Sequence, residues 1–410
     1  MADLRVAEPF VFSNGARSKN RFFKSAMSEA LAGDDNRVPV ERMERLYGAW
    51  ARGGTGIIVT GNVMVDRRAL GEPGNVVVED ARDSEALARW ARFGTKTGAQ
   101  LWMQLNHPGK QCPIGLNRES VAPSAVPFAK ELRALFATPR ALEEREIRAL
   151  IERFATSAAI VREAGFSGVQ IHGAHGYLVS QFLSPKHNVR DDDWGGTPAK
   201  RMRFVREVYA AIRRKCGADF TIGVKLNSAD FQRGGFTEDE SLAVIEALSD
   251  DGINCVEISG GTYEAAAMMG AKQSERTRER EAYFIDFARK VREKVKTPLV
   301  VTGGFRTLDG MEKALASGAT DFIGLARPLA SEPDLPDRLL RGEATASKVA
   351  PVKTGIGFVD SRALPEISFY EAQIRRIADG QPLLDSPNGA RALWEMAIYA
   401  VKNAGRRNRA

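Results

Sequence analysis

The sequence predicts an α/β fold, a (β/α)8 barrel with an N-terminal β-hairpin and a C-terminal helical extension. Three observations predict it. Eight short apolar, β-branched runs alternate with segments of helical period. A glycine that closes a helix recurs two to four residues ahead of four of those runs, after 51–54, 163–165, 250–252 and 316–318. No G-x-G-x-x-G follows any strand, which disfavours the open doubly wound sheet that the same alternation also allows.

In chain order, Asn14–Gly15 stands between two short extended runs within 10–19 and reads as a hairpin able to plug the barrel floor. The eight strands are expected at 20–27, 56–63, 99–105, 168–172, 220–227, 255–260, 298–303 and 321–327. Between the third and fourth, Ile147, Leu150, Ile151, Phe154 and Ala158 repeat at helical spacing. Thr237 followed by Glu240 is a capping box that opens the helix carrying Leu242, Val244, Ile245 and Leu248. Strands flanked by apolar runs on both sides pair in parallel, and eight such units favour closure. Three connections are too long for simple turns: 106–143 with five prolines, 173–197 and 261–281. All follow strands, so in a barrel they lie on the C-terminal face, where sites form. Residues 1–342 are therefore expected to form the barrel and 343–410 an extension packed on it or on a partner subunit. The extension holds two helical periods, Ile367/Tyr370/Ile374/Ile377 and Trp394/Ile398/Val401.

Composition narrows the function classes. With 43% hydrophobic and 27% charged residues, the chain has the material for a full core. Its apolar runs are strand-sized, and its start lacks a signal-peptide pattern, so a cytoplasmic protein without membrane association is expected. Cys112, Cys216 and Cys255 are widely spaced and form no C-x-x-C, so they read as plain thiols, not as zinc or iron–sulfur ligands. The net charge of +7 arises from bases interleaved with acids, as in 276–281, and reads as solvated surface; nucleic acid is not expected as a partner. Only Arg406, Arg407 and Arg409 in the tail are basic without compensation.

Three constellations carry chemistry. Gly303–Gly304 ends the seventh strand and Arg327 the eighth, the two positions from which barrels commonly build a phosphate site: bare backbone admits the anion and the guanidinium clamps it. His172, His175 and Tyr177 crowd the end of the fourth strand. The histidine pair is compatible with a metal, with two satisfied core histidines, or with hydrogen-bond donors to a substrate oxyanion. A metal would need further ligands, and only His107 and His187 remain. Ser25, Ser28, Gln104 and Lys225, at other strand ends, offer hydroxyl, amide and cation around one mouth, a lining suited to a flat heterocycle. Lys225 is the candidate cation for a flavin's N1–C2 edge, where it would stabilise the anionic reduced form.

Over residues 8–342 the chain resembles the Old Yellow Enzyme family of NAD(P)H:flavin oxidoreductases. The resemblance is carried, in the family's order, by 19–27 (KNRFFKSAM), 103–110 (MQLNHPGK), 172–185 (HGAHGYLVSQFLSP) with Asn188, Arg190 and 193–196, then 302–305 (TGGF) and 324–327 (GLAR). It implies non-covalently bound FMN, with Ser25, Ala26, Met27 and Ser28 along the flavin edge and Gly61, Gln104 and Lys225 at its pyrimidine end. Gly303, Gly304, Ala326 and Arg327 would hold the phosphate. His172 and His175 would bind a substrate carbonyl or nitro oxygen, and Tyr177 would supply a proton; no metal is implied.

The sequence departs from the family's pattern at Ala26, where proline is common, at Lys225, where arginine is usual, at Ser28, often cysteine or threonine, and at Ala30, a tyrosine in one bacterial branch. Longer members carry an iron–sulfur cluster and a second dinucleotide domain, for which this chain has neither the cysteines nor the length. The resemblance thus implies a stand-alone ping-pong reductase. NADPH or NADH would serve as transient donor, and α,β-unsaturated carbonyls, nitro compounds or quinones as acceptors. A flavin-dependent dehydrogenase or demethylase is the alternative within the family. A metal-dependent barrel hydrolase and a non-catalytic flavin binder are the alternatives outside it. The substrate is a small molecule with an activated double bond, and homo-oligomers are compatible with the sequence.

Overall fold

The computed structural model describes residues 4–33, 35–260, 282–356, 360, 364–384 and 388–404. Eight parallel strands close a barrel: β1 (Phe22–Lys24), β2 (Ile57–Met64), β3 (Gln100–Asn106), β4 (Gly168–Gly173), β5 (Thr221–Asn227), β6 (Cys255–Ser259), β7 (Leu299–Thr302) and β8 (Phe322–Leu325). Each pairs with its sequence neighbours, and β8 returns to β1 through Gly324 beside Phe23. The expected strands are all present, with ends that differ from expectation by at most three residues: β2, β3 and β4 run one residue further and β1 is the most shortened. β1 stops at Lys24, but the chain stays extended and Ser25 N still donates to Leu325 O at 2.9 Å.

Helices follow the strands: α1 (Val40–Arg52), α2 (Ser84–Thr95), α3 (Glu144–Glu163), α4 (Arg203–Cys216), α5 (Glu238–Asp250), α6 (Ile285–Arg292), α7 (Leu308–Ala316) and α8 (Leu335–Leu340). α5 starts at the expected capping box, with Thr237 Oγ1 accepting from Glu240 N at 3.2 Å and Glu240 Oε2 accepting from Thr237 N at 3.0 Å. Such a cap contributes about 1 kcal/mol. α3 buries Ile147, Leu150, Ile151, Phe154 and Ala158, the stripe its spacing set out. Gly165, at φ +92°, then turns the chain into β4 in a conformation an L side chain resists.

Along a barrel strand alternate residues point inward, so parity sorts each strand into an outer face for the helices and an inner face for the axis. The inner face is layered. At the N-terminal end Phe23, Ile57, Val59, Trp102, Cys255, Val300 and Phe322 form one apolar cluster with Phe12. Phe12 comes from the hairpin, where Phe10–Val11 pairs antiparallel with Arg17–Ser18, and its ring stacks on Phe322 at 5.7 Å. Asn14 Nδ2 pins the turn to Asp219 O at 2.9 Å. The hairpin is the barrel's plug.

The connection 173–197, expected as a loop, contains a helix over Leu178–Leu183, because its six side chains are all buried and Phe182 stacks on Phe204 of α4 at 4.2 Å. The connection 261–281 and the basic tail lie outside the described residues. The extension forms α9 (Leu364–Ala378) and α10 (Gly389–Ala404). Val401 lies on α10, and its side chain is outside the described ones. Among the described residues no helix is long and apolar enough to cross a membrane.

Candidate active site

Two residues above the apolar floor, the same inward parity brings up polar side chains: Ser25, Gln104, Gln170, Lys225, Glu257 and Thr302. All are buried, and they satisfy one another across the barrel. Gln104 Nε2 donates to Gln170 Oε1 at 2.8 Å, and Gln170 Nε2 to Glu257 Oε2 at 2.8 Å. Glu257 Oε1 accepts from Thr302 Oγ1 at 2.8 Å and pairs with Lys225 Nζ at 3.0 Å. Ser25 Oγ lies 2.7 Å from Thr302 Oγ1. Strand register places Gln170 beside Gln104 and Glu257 beside Lys225. Lys225, the candidate cation, has a counter-ion in Glu257, with side-chain exposures of 3% and 0% for the pair. Burying two charges is tolerable only with such pairing.

One more step up is a cleft of 340 Å³ on the C-terminal face. Of the expected site residues, Ala26, Met27, Ser28, Gln104, His172, His175, Tyr177, Gly303, Gly304, Ala326 and Arg327 line it. Ser25 and Lys225 lie in the buried polar layer instead, and Gly61 is not at the cleft wall. A Cβ on Gly61 would come 2.0 Å from Glu29 Oε2, and Gly61 N donates to Glu29 Oε1 at 2.7 Å, so this glycine makes room for a buried carboxylate. Glu29 also accepts from the Tyr47 hydroxyl of α1. Ser28 donates its hydroxyl to Glu72, another cleft residue.

His172 is the last but one residue of β4, and its ring meets those of His175 and Tyr177 edge-on, with centroids 5.1 and 4.8 Å away. His175 sits at φ +61°, a costly conformation for a side-chain-bearing residue, and His175 N donates to Asn227 Oδ1 at 3.1 Å to hold it. Its Nε2 lies 2.9 Å from Ser259 Oγ. Ala174 N approaches His172 Nδ1 at 3.4 Å, which leaves the ring proton on Nε2. Burial, then the Lys225 charge, hold both imidazoles well below the usual histidine range, so they are neutral N–H donors near pH 7. Among the described residues no group of three or more His, Cys, Asp or Glu side chains converges on a metal position.

At the other end, Gly303 and Gly304 turn at φ +120° and +93°, and a Cβ on Gly304 would stand 2.9 Å from Ala282 N. Arg327 leads off the helix after β8 and pairs with Glu366 of α9. A side-chain-free turn at Gly303–Gly304 with a guanidinium beside it, an apolar edge at Ala26 and Met27, and an amide at Gln104 fit the phosphate, ring edge and pyrimidine of FMN.

The NADH:flavin oxidoreductase / NADH oxidase family matches residues 6–345. The chain belongs to this family. As a flavin oxidoreductase of the Old Yellow Enzyme kind it is 39% identical over 361 residues to the NADH-dependent flavin oxidoreductase iliE of Neonectria sp., covering 82% of this chain and 47% of that protein. It is 35% identical over 362 residues to iliE of Hypocrea jecorina, covering 83% and 90%. The chain thus spans about half of the first relative's length and nearly all of the second's. Among solved structures, the old yellow enzyme homologue from Zymomonas mobilis matches with a TM-score of 0.71 at 25% identity, covering 84% of this chain and 94% of that one. A 2-naphthoyl-CoA reductase shares the fold with a TM-score of 0.80 at 23% identity, covering 92% and 58%.

Sequence reasoning missed Gln170, Glu257, Glu29, Glu72 and the α9 residues at the cleft. A signal existed for two of them. Gln170 and Glu257 each interrupt an apolar strand two residues before a polar strand end, His172 and Ser259. The others are brought in by distant segments.

Proposed function

We propose that this flavin oxidoreductase binds FMN, takes electrons from NADH, and reduces activated carbon–carbon double bonds in a ping-pong cycle. The observation that carries the reading is the pair of neutral histidines beside Tyr177, His172 buried and His175 half-buried, in the same cleft as the phosphate cradle. Names of the relatives, NADH-dependent in both iliE proteins, support NADH as the donor.

Bound FMN would supply the hydride chemistry that links the nicotinamide to the β-carbon of the acceptor. The chain's residues do the rest. Arg327 and the bare backbone of Gly303–Gly304 offer the phosphate charge-assisted and backbone hydrogen bonds. His172 Nε2–H is free to donate to a carbonyl or nitro oxygen; with His175 it stabilises the negative charge that develops there. Neutral donors suit this task, because they enter the buried site without a desolvated charge of their own. Hydride at the β-carbon leaves a carbanion at the α-carbon, and the Tyr177 phenol gives it a proton; solvent then restores the phenol. The net change is NADH plus a proton plus the double bond, giving NAD⁺ and the saturated product. The buried polar layer beneath holds Gln104 in place for the ring.

The test separates the two half-reactions by stopped flow. NADH should bleach the bound flavin, and an enone should restore its colour. In Tyr177→Phe, flavin reduction should stay within a few-fold of wild type while enone-dependent reoxidation slows by roughly 10²–10⁴-fold, the usual contribution of a positioned acid. Equal slowing of both halves would make Tyr177 a structural residue, and no reoxidation by any enone in the wild type would remove the proposed reaction.

A further inference from the structure

Cleft-lining residues come not only from the barrel. Glu366, Ile367, Tyr370, Glu371 and Ile374 also line it, and their spacing is one face of α9. The helix is fastened at both ends. Near its start Glu366 pairs with Arg327 after β8. Just past its end Asp379 takes Arg42 of α1 through both oxygens, at 2.8 and 3.2 Å, and Arg45 Nε donates to Ala378 O at 2.6 Å. In between, the Tyr370 hydroxyl donates to Ala350 O at 3.1 Å, drawing in residues 349–351, which line the cleft as well. Phe369, Gln373 and Ala378 are buried beneath, so this is a docked wall rather than a loose tail.

Its direction matters. Glu366 lies at Arg327, and Glu371, one and a half turns on, is close enough to Glu72 to feel its charge, while Glu72 holds the Ser28 hydroxyl. The helix therefore crosses the mouth from the end of β8 to the connection after β2. A flavin with its phosphate at Gly303, Gly304 and Arg327 and its ring at Met27 and Ser28 runs the same way. The residues α9 turns toward it include three large apolar ones, Ile367, Tyr370 and Ile374.

We propose that α9 is the outer wall of the cofactor site, with Ile367, Tyr370 and Ile374 enclosing the apolar dimethylbenzene edge of the flavin. The inference rests on the FMN reading of the cleft. An apolar ring edge gains free energy by leaving water, and here the apolar surface that covers it belongs to the extension.

The experiment uses the full chain, stripped of flavin and reloaded with 8-chloro-FMN. Thiophenolate attacks carbon 8 of that analogue on the dimethylbenzene edge, forming a C–S bond as chloride leaves, and the colour change reports the rate. Bound analogue should react about tenfold or more slower than free, since a built site buries most of its ligand. Ile367→Ala and Ile374→Ala should each speed the reaction and weaken FMN and riboflavin alike, by roughly five- to fiftyfold. Arg327→Ala should weaken FMN several-fold more than riboflavin, because the phosphate contact is lost on top of any loosening of the Glu366 end of α9. A wild-type protein whose bound analogue reacts at the free rate overturns the wall, whether or not the variants fold, as does wild-type riboflavin affinity in both alanine variants. Failure of FMN itself to bind would overturn the FMN reading and this inference together.

Discussion

Glu257→Gln should be among the most damaging conservative substitutions in this chain. The carboxylate lies 3.0 Å from Lys225 Nζ with neither side chain exposed by more than 3%. At that separation and an effective dielectric near 20, the attraction is about 5–6 kcal/mol, set against several kcal/mol per ion for leaving water. The amide keeps the shape and can still accept from Gln170 Nε2, whose bond to Glu257 is 2.8 Å, while the Thr302 hydroxyl can rotate to accept instead. What is lost is the counter-charge. Lys225 is then a buried charge without its partner, and removing one member of a buried pair costs about 3–5 kcal/mol. Lys225→Met should cost a similar amount by stranding Glu257. The double variant should recover much of the loss, with a coupling of roughly 2 kcal/mol or more, because two apolar or neutral groups need no partner. Guanidinium denaturation followed by the fluorescence of the tryptophans, Trp102 of the barrel floor among them, measures all four proteins. A loss under about 1 kcal/mol for Glu257→Gln, or simple additivity in the double variant, would refute the argument that the pair depends on mutual neutralisation.

Arg327→Ala should reduce FMN affinity by about 1.5–3 kcal/mol, roughly ten- to a hundredfold, as read by fluorescence titration of the apoprotein. His172→Ala and His175→Ala should each weaken phenolate ligands, followed by the long-wavelength charge-transfer band, while flavin content stays at the wild-type level; loss of flavin in both would make them cofactor residues. Stability should also fall with rising pH through one identifiable carboxyl. Burial and the charge of Glu72 push Glu371 up to about 8, against an ordinary value near 4.5. Because the folded state holds that proton more tightly than the unfolded chain, the contribution is fully present below about pH 4.5 and is lost as pH rises through about 8. Melting temperatures from pH 5 to 9 should show this slope, and Glu371→Gln should flatten it; an unchanged slope would show that Glu371 is ordinary in the folded protein.

The sequence by itself determined the barrel and most of its mouth. Eight apolar runs, the glycine after α3, and the Thr237–Glu240 box are local signals, each with a physical cause within a few residues, and all reappear in the structure. The same holds for His172, Gly303, Gly304 and Arg327: strand ends in a parallel barrel converge on one face whatever their neighbours. Tertiary structure decided the rest. Whether Lys225 acts as a bare cation depends on Glu257 of the next strand, a matter of register between segments thirty residues apart. Only the family resemblance places Gly61 at the flavin's pyrimidine end, and its missing side chain is explained by Glu29, which the turn after β1 carries against it. Helix α9 has an amphipathic period that says only that one face is covered. That its partner is the cleft follows from contacts with Arg327 and Arg42, residues 39 and 337 positions away from Glu366 and Asp379, and such pairings are fixed by the packed whole and not by local propensity.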